Sequence, residues 1–344
     1  MTTTRRATLI DVAREAGVSL ATVDRVLNKR QGVHARTQGL VISAVQRLTY
    51  RPDPAAARLA RQRAHQLCFV LPSGTNTFVS LLREQIAANA PWLLDHRMQV
   101  KTIEVDAFEP LKLAAQLDLL AGRCDTAVVM GVDHPRVRAS IDALVEGGSG
   151  VVTLVSDMPS SRRHHYVGID NVAAGRTAAT LIGRFAGVRS GPVALVLGSM
   201  SLRDHAERSF GFNQVMSTEF PELQVLSPLE GKDDSVITER LTCELLERQP
   251  ELVAIYSAGA GNRGIGAALE RSGRSGKVVL VEHELTPHSR KHLLSGTADA
   301  VLNQDAGHEI RSALRLALAR CSGEPVIADQ ERIRIDIYLR DNLP

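Results

Sequence analysis

The chain is poor in aromatic residues and in cysteine. Aromatic residues make up 3% of its 344 residues, so we expect little stacking of ring faces on a ligand. Its four cysteines, Cys68, Cys124, Cys243 and Cys321, are far apart and form no CxxC pair. This spacing indicates neither a zinc knuckle nor a disulfide framework, and we predict buried, reduced thiols instead.

Long apolar runs and catalytic motifs are also missing from the sequence. No run is long enough to span a bilayer, and the first residues lack the apolar core of a signal peptide. There is no GxSxG, no Walker lysine and no carboxylate pair within a metal motif. We therefore expect a cytoplasmic protein without membrane contact, resident metal or cofactor, and not an enzyme.

The charge of the chain is distributed unevenly. The first 65 residues carry 12 lysines and arginines against four acidic residues, whereas the remainder carries 29 against 34. A basic head on an acidic body suggests that the head meets a polyanion.

Residues 8–28, TLIDVAREAGVSLATVDRVLN, predict two short helices joined by a tight turn. Thr8 followed by Asp11 predicts an N-terminal cap, Gly17 permits the turn, and Ser19 can cap the second helix. A third helix is predicted to start near Thr37. The apolar positions predicted to face inwards are Leu9, Val12, Ala13 and Ala16, then Val23, Val26 and Leu27, and finally Leu40, Val41, Ala44, Val45 and Leu48. Three helices around one apolar cluster are typical of a helix-turn-helix domain.

The remainder of the chain has a different pattern. Residues 51–63, rich in proline, alanine and arginine, predict a linker that can become helical. From residue 66, eight short runs rich in Val, Ile and Leu alternate with helix-length segments, which is typical of parallel sheets covered on both faces. Eight strand–helix units are too many for one sheet. We therefore predict two lobes, with the chain crossing between them at residues 166–171. Ligands of open α/β sheets bind beyond the carboxyl ends of the strands, which favours a cleft between the lobes.

The motifs TLIDVAREAGVSLATVDRVLN and VHARTQGLVISAVQRLTYRPDPAAARLA resemble the DNA-binding head of the lac repressor family of bacterial regulators. The body resembles that family's periplasmic-binding-protein-like sensor, with similarity to ribose-binding proteins. The resemblance implies a small all-α helix-turn-helix head and an α/β two-lobed type I effector domain with parallel sheets. It implies domains at 1–52 for the head, 53–65 for a hinge helix, and 66–344 for effector binding and dimerisation.

The resemblance also implies roles for residues of the head. Leu20, Ala21 and Arg25 match positions of the recognition helix that reach base edges, and arginine commonly reads guanine. Asp24 stands where the family usually has serine, and it can accept from cytosine N4 or orient Arg25. Positions that typically touch phosphates are matched by Thr8, Ser19, Thr22, Asn28 and Thr37. Leu59 matches the hinge leucine that pries open a central base step from the minor groove.

For the body, the resemblance implies an effector site built from polar residues after the predicted strands. Charged and amide groups with an aromatic face suit a polyol, and Phe78 can supply that face. The candidate effector-binding residues are Asn76, Phe78, Ser156, Asp157, Asp170, Arg208, Asn262, Glu284 and Gln304.

Two other interpretations of the body remain open. Residues 259–264, GAGNRG, follow a predicted strand, and Glu282 lies about 20 residues on, as in a dinucleotide-binding fingerprint. The alternative function is therefore an NAD-binding α/β enzyme. His288 and His292 have the spacing of a metal-binding pair, but without a third ligand we predict that His283, His288 and His292 are surface residues.

The sequence as a whole predicts a homodimeric, ligand-responsive repressor. Its partners would be palindromic operator DNA, a second copy of the chain, and a small effector that is a sugar, a sugar alcohol or a sugar acid. The sequence leaves open the identity of the effector, whether it releases or tightens DNA binding, and whether dimers pair into tetramers.

Overall fold

The computed structural model describes residues 7–27, 31–50, 64–106 and 108–344. The chain divides into two compact units, Met1–Ala64 and His65–Pro344. None of the described helices combines the length and the apolar character that a bilayer span requires.

The first unit contains three helices around a small apolar core: α1 (Leu9–Ala16), α2 (Leu20–Leu27) and α3 (Ala35–Arg47). One valine from each helix, Val12, Val23 and Val41, is completely buried there. α3 begins two residues before the predicted Thr37. Leu40, predicted to face the core, is instead 48% exposed.

Local hydrogen bonds fix the start and the end of α1 as predicted. The Thr8 hydroxyl accepts from the Asp11 amide at 3.3 Å, and the Asp11 carboxylate accepts from the Thr8 amide at 2.8 Å. The helix ends at Gly17, whose left-handed φ of 64° suits a residue without a side chain. Thr8 and Asp11 therefore set where α1 begins, and Gly17 sets where the turn towards α2 begins.

The second unit is built from two lobes, and the sheet of the first lobe is entirely parallel. Its strand order is β2-β1-β3-β4-β5. The strands are β1 (His65–Pro72), β2 (Met98–Val105), β3 (Thr126–Val129), β4 (Gly150–Leu154) and β5 (His165–Val167), and the first helices are α4 (Thr77–Ala88), α5 (Ala90–Asp95), α6 (Pro110–Asp118) and α7 (Pro135–Glu146). In β1, Phe69 and Leu71 pack in one core cluster, whereas Cys68 and Val70 pack in another on the opposite face. Burial on both faces explains why the strand is apolar from Leu67 onwards.

The sheet of the second lobe has the order β12-β11-β10-β9-β6-β7, and β8 also pairs with β6. All pairs are parallel except β11 with β12. The strands are β6 (Gly191–Leu197), β7 (Leu223–Val225), β8 (Leu229–Glu230), β9 (Ala254–Ser257), β10 (Val279–His283), β11 (Ala300–Asn303) and β12 (Asp336–Tyr338), and the helices are α8 (Asn171–Ala186), α9 (Arg203–Glu219), α10 (Ser235–Arg248), α11 (Asn262–Arg271) and α12 (Pro287–Ser295).

Over the described residues of the second unit, the chain crosses between the lobes three times. It passes from β5 to α8 as predicted, and from β11 to α13 (Ala306–Ser322), whose Ile310 and Leu314 lie in the core of the first lobe. After a short 3-10 helix (Ala328–Glu331) it returns to β12, and a second one (Arg340–Asn342) follows. The lobes therefore share segments that are distant in sequence.

The structure confirms the predicted fold class and all eight predicted strands. The short strands β5, β7, β8 and β12 were not predicted, and β5 contains His165. Cys68 and Cys124 are buried as predicted, whereas Cys243 and Cys321 are only half-buried.

Two helices of the second lobe, α8 and α9, approach each other unusually closely. A side-chain carbon at Gly175 would overlap the carbonyl group of Arg208, and one at Gly211 would overlap that of Val172. Glycine is needed at both positions because the backbones touch. This contact fixes the position of α9, which carries Arg208.

Candidate functional site

The predicted recognition helix, α2, buries its apolar residue and leaves the opposite face open. Val23 is fully buried, whereas Leu20 is 49% exposed and Ala21 and Arg25 are exposed. Asp24 is half-buried. A helix presented in this way can enter a major groove.

The hydroxyl groups predicted to touch phosphates make local contacts in this structure. Thr8 caps α1, and the Ser19 hydroxyl accepts from the Thr22 amide at 3.2 Å and lies 2.9 Å from the Thr22 hydroxyl. Thr37 is half-buried in the first turn of α3. Asn28 and Leu59 lie outside the described residues.

A cleft between the two lobes of the second unit encloses a cavity of about 220 Å³. Its walls follow the carboxyl ends of parallel strands, as expected for an open α/β sheet. The first lobe contributes residues after β1, β3 and β4, and the second lobe contributes residues after β6, β8, β9 and β10. An adjoining cavity of about 230 Å³ extends past Asn262, Arg263 and His288.

Arg208 is the centre of the polar cluster in this cleft. It is 2% exposed, and its Nε donates to Asn171 Oδ1 at 2.8 Å and its Nη1 to the Ala258 carbonyl at 2.9 Å. Its Nη2 lies 3.7 Å from Glu284 Oε1, which accepts from Gln304 Nε2 at 2.8 Å. The guanidinium is thus held in one orientation before any ligand binds.

Burial governs the protonation of the carboxyl groups around Arg208. It raises the pKa of Glu284 to about 7, although Arg208 and the hydrogen bond from Gln304 act in the opposite direction. Burial, together with Glu284, raises the pKa of Glu309 on α13 well above its usual range. Glu309 is fully buried, and neither of its oxygens has a hydrogen-bond partner among the described residues. Glu284 therefore titrates near neutral pH, and Glu309 holds its proton to a higher pH than an exposed glutamate does.

The structure brings most of the predicted effector-binding residues to the cleft. Those that line the cavity are Asn76, Phe78, Ser156, Arg208 and Glu284. Asn262 lines the adjoining cavity, accepting from Ser257 at 2.6 Å and donating to the His283 carbonyl at 2.8 Å. Gln304 is buried, does not line the cavity, and donates to Glu284.

Two predicted residues do not reach the cavity. Asp157 accepts from the Arg163 guanidinium at 2.5 and 2.6 Å and from the Thr153 hydroxyl at 2.8 Å. Asp170 is exposed and caps α8 through the Ala173 amide. Near neighbours satisfy both carboxylates, which explains their positions without a ligand.

Several residues that line the cavity were not predicted. Asp204 lies four residues before Arg208, so helical spacing places both on one face of α9, and this signal could have revealed it. Phe108 adds a second ring beside Phe78. Asp233 lies in a turn whose shape the sequence does not indicate, so no comparable signal pointed to it.

Backbone strain is concentrated at the cavity. Val155, Lys232, Asp233 and Glu284 all line it and have φ values of 63°, 51°, 56° and 68°. The left-handed conformation is unfavourable for residues with a side chain, above all for a β-branched valine. Such residues collect at ligand sites, where the surrounding structure holds them in place.

Polar contacts between described residues join the lobes beside the cavity. Asn76 Nδ2 in the first lobe donates to Asp233 Oδ2 in the second at 3.2 Å. Arg203 Nη1 on α9 lies 3.5 Å from Asp133 Oδ2, which is also bound by Arg138. The lobes are therefore connected by polar groups that rearrange if the cleft opens.

The glycine-rich loop at 259–264 has a packing role, contrary to the alternative interpretation. A side-chain carbon at Gly264 would overlap the Ser235 carbonyl, so this glycine allows α11 to pack on α10. Glu282, the acid that would meet a ribose, is fully buried and lies 3.0 Å from His292 Nδ1. The geometry of the loop does not support an NAD-binding enzyme.

The histidines after β9 are not all on the surface, so that prediction was wrong. His283 is fully buried with its Nε2 2.8 Å from the Tyr256 hydroxyl, and His292 is 4% exposed beside Glu282. His288 is half-buried at the adjoining cavity. Within the described ranges, no group of three or more His, Cys, Asp or Glu residues is arranged to hold a metal ion.

Comparison with known families matches both parts of the chain. Residues 67–325 match the periplasmic binding protein domain, and residues 8–53 match bacterial regulatory proteins of the lacI family. Catabolite control protein A of Streptococcus mutans is 29% identical over 192 residues, 54% of each chain. The same protein of Staphylococcus aureus is 43% identical over 75 residues, 22% of this chain and 23% of that protein. The chain thus spans about half the length of the first relative and about a quarter of the second.

Solved structures with the same fold cover most of the chain at low identity. GanP, a glucose-galactose binding protein from Geobacillus stearothermophilus, superposes with a TM-score of 0.73 and 20% identity over 82% of this chain and 100% of that one. A solute binding protein from Burkholderia graminis, in complex with D-arabinose, superposes with a TM-score of 0.74 and 19% identity over 82% of this chain and 98% of that one. A solute binding protein from Agrobacterium vitis, bound with α-D-tagatopyranose, superposes with a TM-score of 0.72 and 17% identity over 81% of this chain and 95% of that one.

Proposed function

The chain belongs to the periplasmic binding protein domain family and carries a helix-turn-helix of the lacI family of bacterial regulatory proteins, and on this premise we propose that it is a ligand-controlled transcription repressor. One observation carries the ligand half of this proposal. Arg208, Glu284 and Ser156 present buried polar atoms without hydrogen-bond partners among the described residues to a cavity between two lobes. A ligand rich in hydroxyl groups would satisfy them.

The DNA half of the proposal rests on the open face of α2 and the basic charge of the first 65 residues. Leu20, Ala21 and Arg25 would reach base edges, with Asp24 beside them, and the hydroxyl groups of the head would fix the register on phosphates. Two copies of the chain would bind a palindromic site, one head on each half. A protein that acts on bacterial DNA in this way would work in the cytoplasm.

The proposed domain organisation assigns residues 1–52 to the head, 53–65 to a hinge, and 66–344 to effector binding and dimerisation. The hinge would become helical on DNA and insert Leu59 into the minor groove, where favourable packing on the bases offsets the cost of ordering the hinge and unstacking the step. Effector binding would change how the lobes are arranged and so change the spacing of the two hinges. The effector must favour one arrangement, which is typically worth about 1–3 kcal/mol of coupling.

The DNA half is tested by selecting binding sites from fragmented genomic DNA of the source organism at moderate salt. We expect enrichment of one palindromic sequence by the unmodified full chain. Enrichment that is equal for all fragments and is lost with increasing salt would contradict sequence-specific binding.

The ligand half is tested by thermal unfolding of the full chain with pentoses, hexoses, hexitols and sugar acids. A ligand of the cleft should raise the midpoint and change operator affinity, and the sign of that change distinguishes an inducer from a co-repressor. A ligand that stabilises the protein without any change in operator affinity would contradict the proposed coupling.

A further inference from the structure

Asp204 presents an unpartnered carboxylate oxygen to the cavity from the first turn of α9. It is 4% exposed, and its Oδ1 has no hydrogen-bond partner among the described residues. Its Oδ2 lies 3.7 Å from His205 Nε2. A buried oxygen in this condition costs free energy unless a ligand supplies a donor.

Glu284 presents a second oxygen of the same kind from the end of β10. It is 7% exposed and held in a left-handed conformation with φ of 68°. Oε1 accepts from Gln304, whereas Oε2 has no partner within the described part of the chain. The cavity therefore offers two buried acceptors that belong to two different carboxyl groups.

Arg208 is the buried cation that faces these two carboxyl groups. It uses Nε and Nη1 on Asn171 and on the Ala258 carbonyl, which leaves Nη2 without a hydrogen-bond partner among the described residues. Lys232 also lines the cavity, but it is exposed and is followed directly by Asp233 and Asp234, which line it too. Acidic residues therefore outnumber lysine and arginine by four to two among the residues that line the cavity.

We propose that Asp204 makes this cavity select against anionic ligands, so that the effector is a polyhydroxylated molecule without a carboxylate or phosphate group. Two of its hydroxyl groups donate to Asp204 Oδ1 and Glu284 Oε2, and another of its oxygens accepts from Arg208 Nη2. An acid would instead add a further negative charge at short range in a cavity of low dielectric. This inference rests on the proposed function, because it assigns the charge of the ligand at the same site.

The test compares neutral sugars with acids of the same skeleton by calorimetry on the full chain. The series are D-galactose, D-galacturonate and D-galactose 6-phosphate, the same three forms of D-glucose, and D-ribose with D-ribose 5-phosphate. We expect each neutral sugar that binds to bind at least about tenfold more tightly than its acids. An acid that binds more tightly than its neutral parent overturns this inference alone. If no compound binds, the sugar ligand of the proposed function is wrong and this inference falls with it.

Variants then assign the selectivity to Asp204. Asp204→Asn keeps the shape of the side chain and removes its charge, so the discrimination between sugar and acid should fall by about tenfold. Glu219→Gln removes one charge from the exposed end of the same helix and should leave the discrimination unchanged. Asp204→Ser serves if the asparagine variant does not fold, as checked by circular dichroism. Unchanged discrimination in a folded Asp204 variant overturns the proposal.

Discussion

Arg208 shows how one side chain is prepared for a ligand before the ligand arrives. Hydrogen bonds to Asn171 and Ala258 hold two of its nitrogens, and the third points to Glu284 and the cavity. Its orientation is fixed in advance, so binding does not have to order a long side chain. Asn171 starts α8 and Ala258 follows β9, so this orientation depends on two elements of the second lobe.

The protonation of Glu284 should make ligand binding depend on pH. Its pKa is raised to about 7 by burial, so in the empty protein the folded state holds this proton more strongly than the unfolded state. Ionisation therefore costs stability as pH rises towards 7, whereas hydroxyl donors of a ligand stabilise the ionised form. We expect affinity for a neutral sugar to rise by several-fold between about pH 6 and about pH 8, as measured by calorimetry.

Glu284→Gln is the control for this pH dependence, because its amide does not titrate. Asp204, Arg208 and Glu309 also face Glu284, and the variant leaves all three in place. A pH dependence that is unchanged in the variant would assign the effect to another group.

Arg25 is the exposed position of α2 with the chemistry to read a guanine. Arg25→Ala should relax specificity at one base pair of each half-site, by about 1–3 kcal/mol of discrimination. The measurement is a scan of binding to operators changed one base pair at a time. If the preference at every base pair survives, Arg25 does not read a base.

The residues of the site differ in how far the sequence could predict them. Arg208 and Glu284 were predicted because they follow strands in motifs that resemble a known family. Asp157 and Asp170 were predicted on the same grounds. Their carboxylates instead accept hydrogen bonds from Arg163 and from the first turn of α8, and a sequence pattern does not reveal such local contacts. Asp233 lies at the cavity in a turn where two successive residues adopt a left-handed conformation, which the sequence does not indicate.

At the scale of elements, long buried strands were predictable and short edge strands were not. Strands such as β1 and β6 are apolar on both faces, since helices cover both sides of each sheet. β7, β8 and β12 have two or three residues each, too few to show a period. Their places are decided by the surrounding sheet, and β12 pairs with a strand more than 30 residues earlier in the chain.

The contact between α8 and α9 should be sensitive to a single methyl group. Gly211→Ala would place that group against the Val172 carbonyl, which cannot move aside as a flexible side chain would. We expect the free energy of unfolding to fall by about 1–3 kcal/mol in denaturant titrations. Ser217→Ala, at an exposed position of the same helix, is the matched control and should change it little. Equal stability of the two variants would show that the helices can separate without cost.

At the scale of the whole molecule, the chain joins a basic helical head to a two-lobed body. The match of residues 67–325 to periplasmic binding proteins and of residues 8–53 to lacI regulators confirms the predicted family and its two parts. The sequence could predict this organisation because each part has its own periodicity. It could not predict the contacts between lobes, such as Asn76 with Asp233, because the two residues are far apart in the chain.

Arg208→Ala should separate the two proposed activities of the molecule. Without the guanidinium, the effector should no longer change operator affinity, whereas DNA binding without effector should stay within about twofold. A titration of operator binding against ligand measures both quantities. Arg184→Ala, at an exposed position near the end of α8, is the matched control and should respond normally. A retained response in the Arg208 variant would show that the effector binds elsewhere.

The three crossings between the lobes also determine the order in which a nascent chain can complete its parts. The core of the first lobe includes Ile310 and Leu314 of α13, which leave the ribosome after nearly all of the second lobe has been made. The first lobe is synthesised earlier, but its core stays incomplete until α13 is made. Until then it exposes apolar surface of the kind that chaperones bind. A chain that ends before residue 306 would therefore have a first lobe without α13 and a second lobe without its edge strand β12.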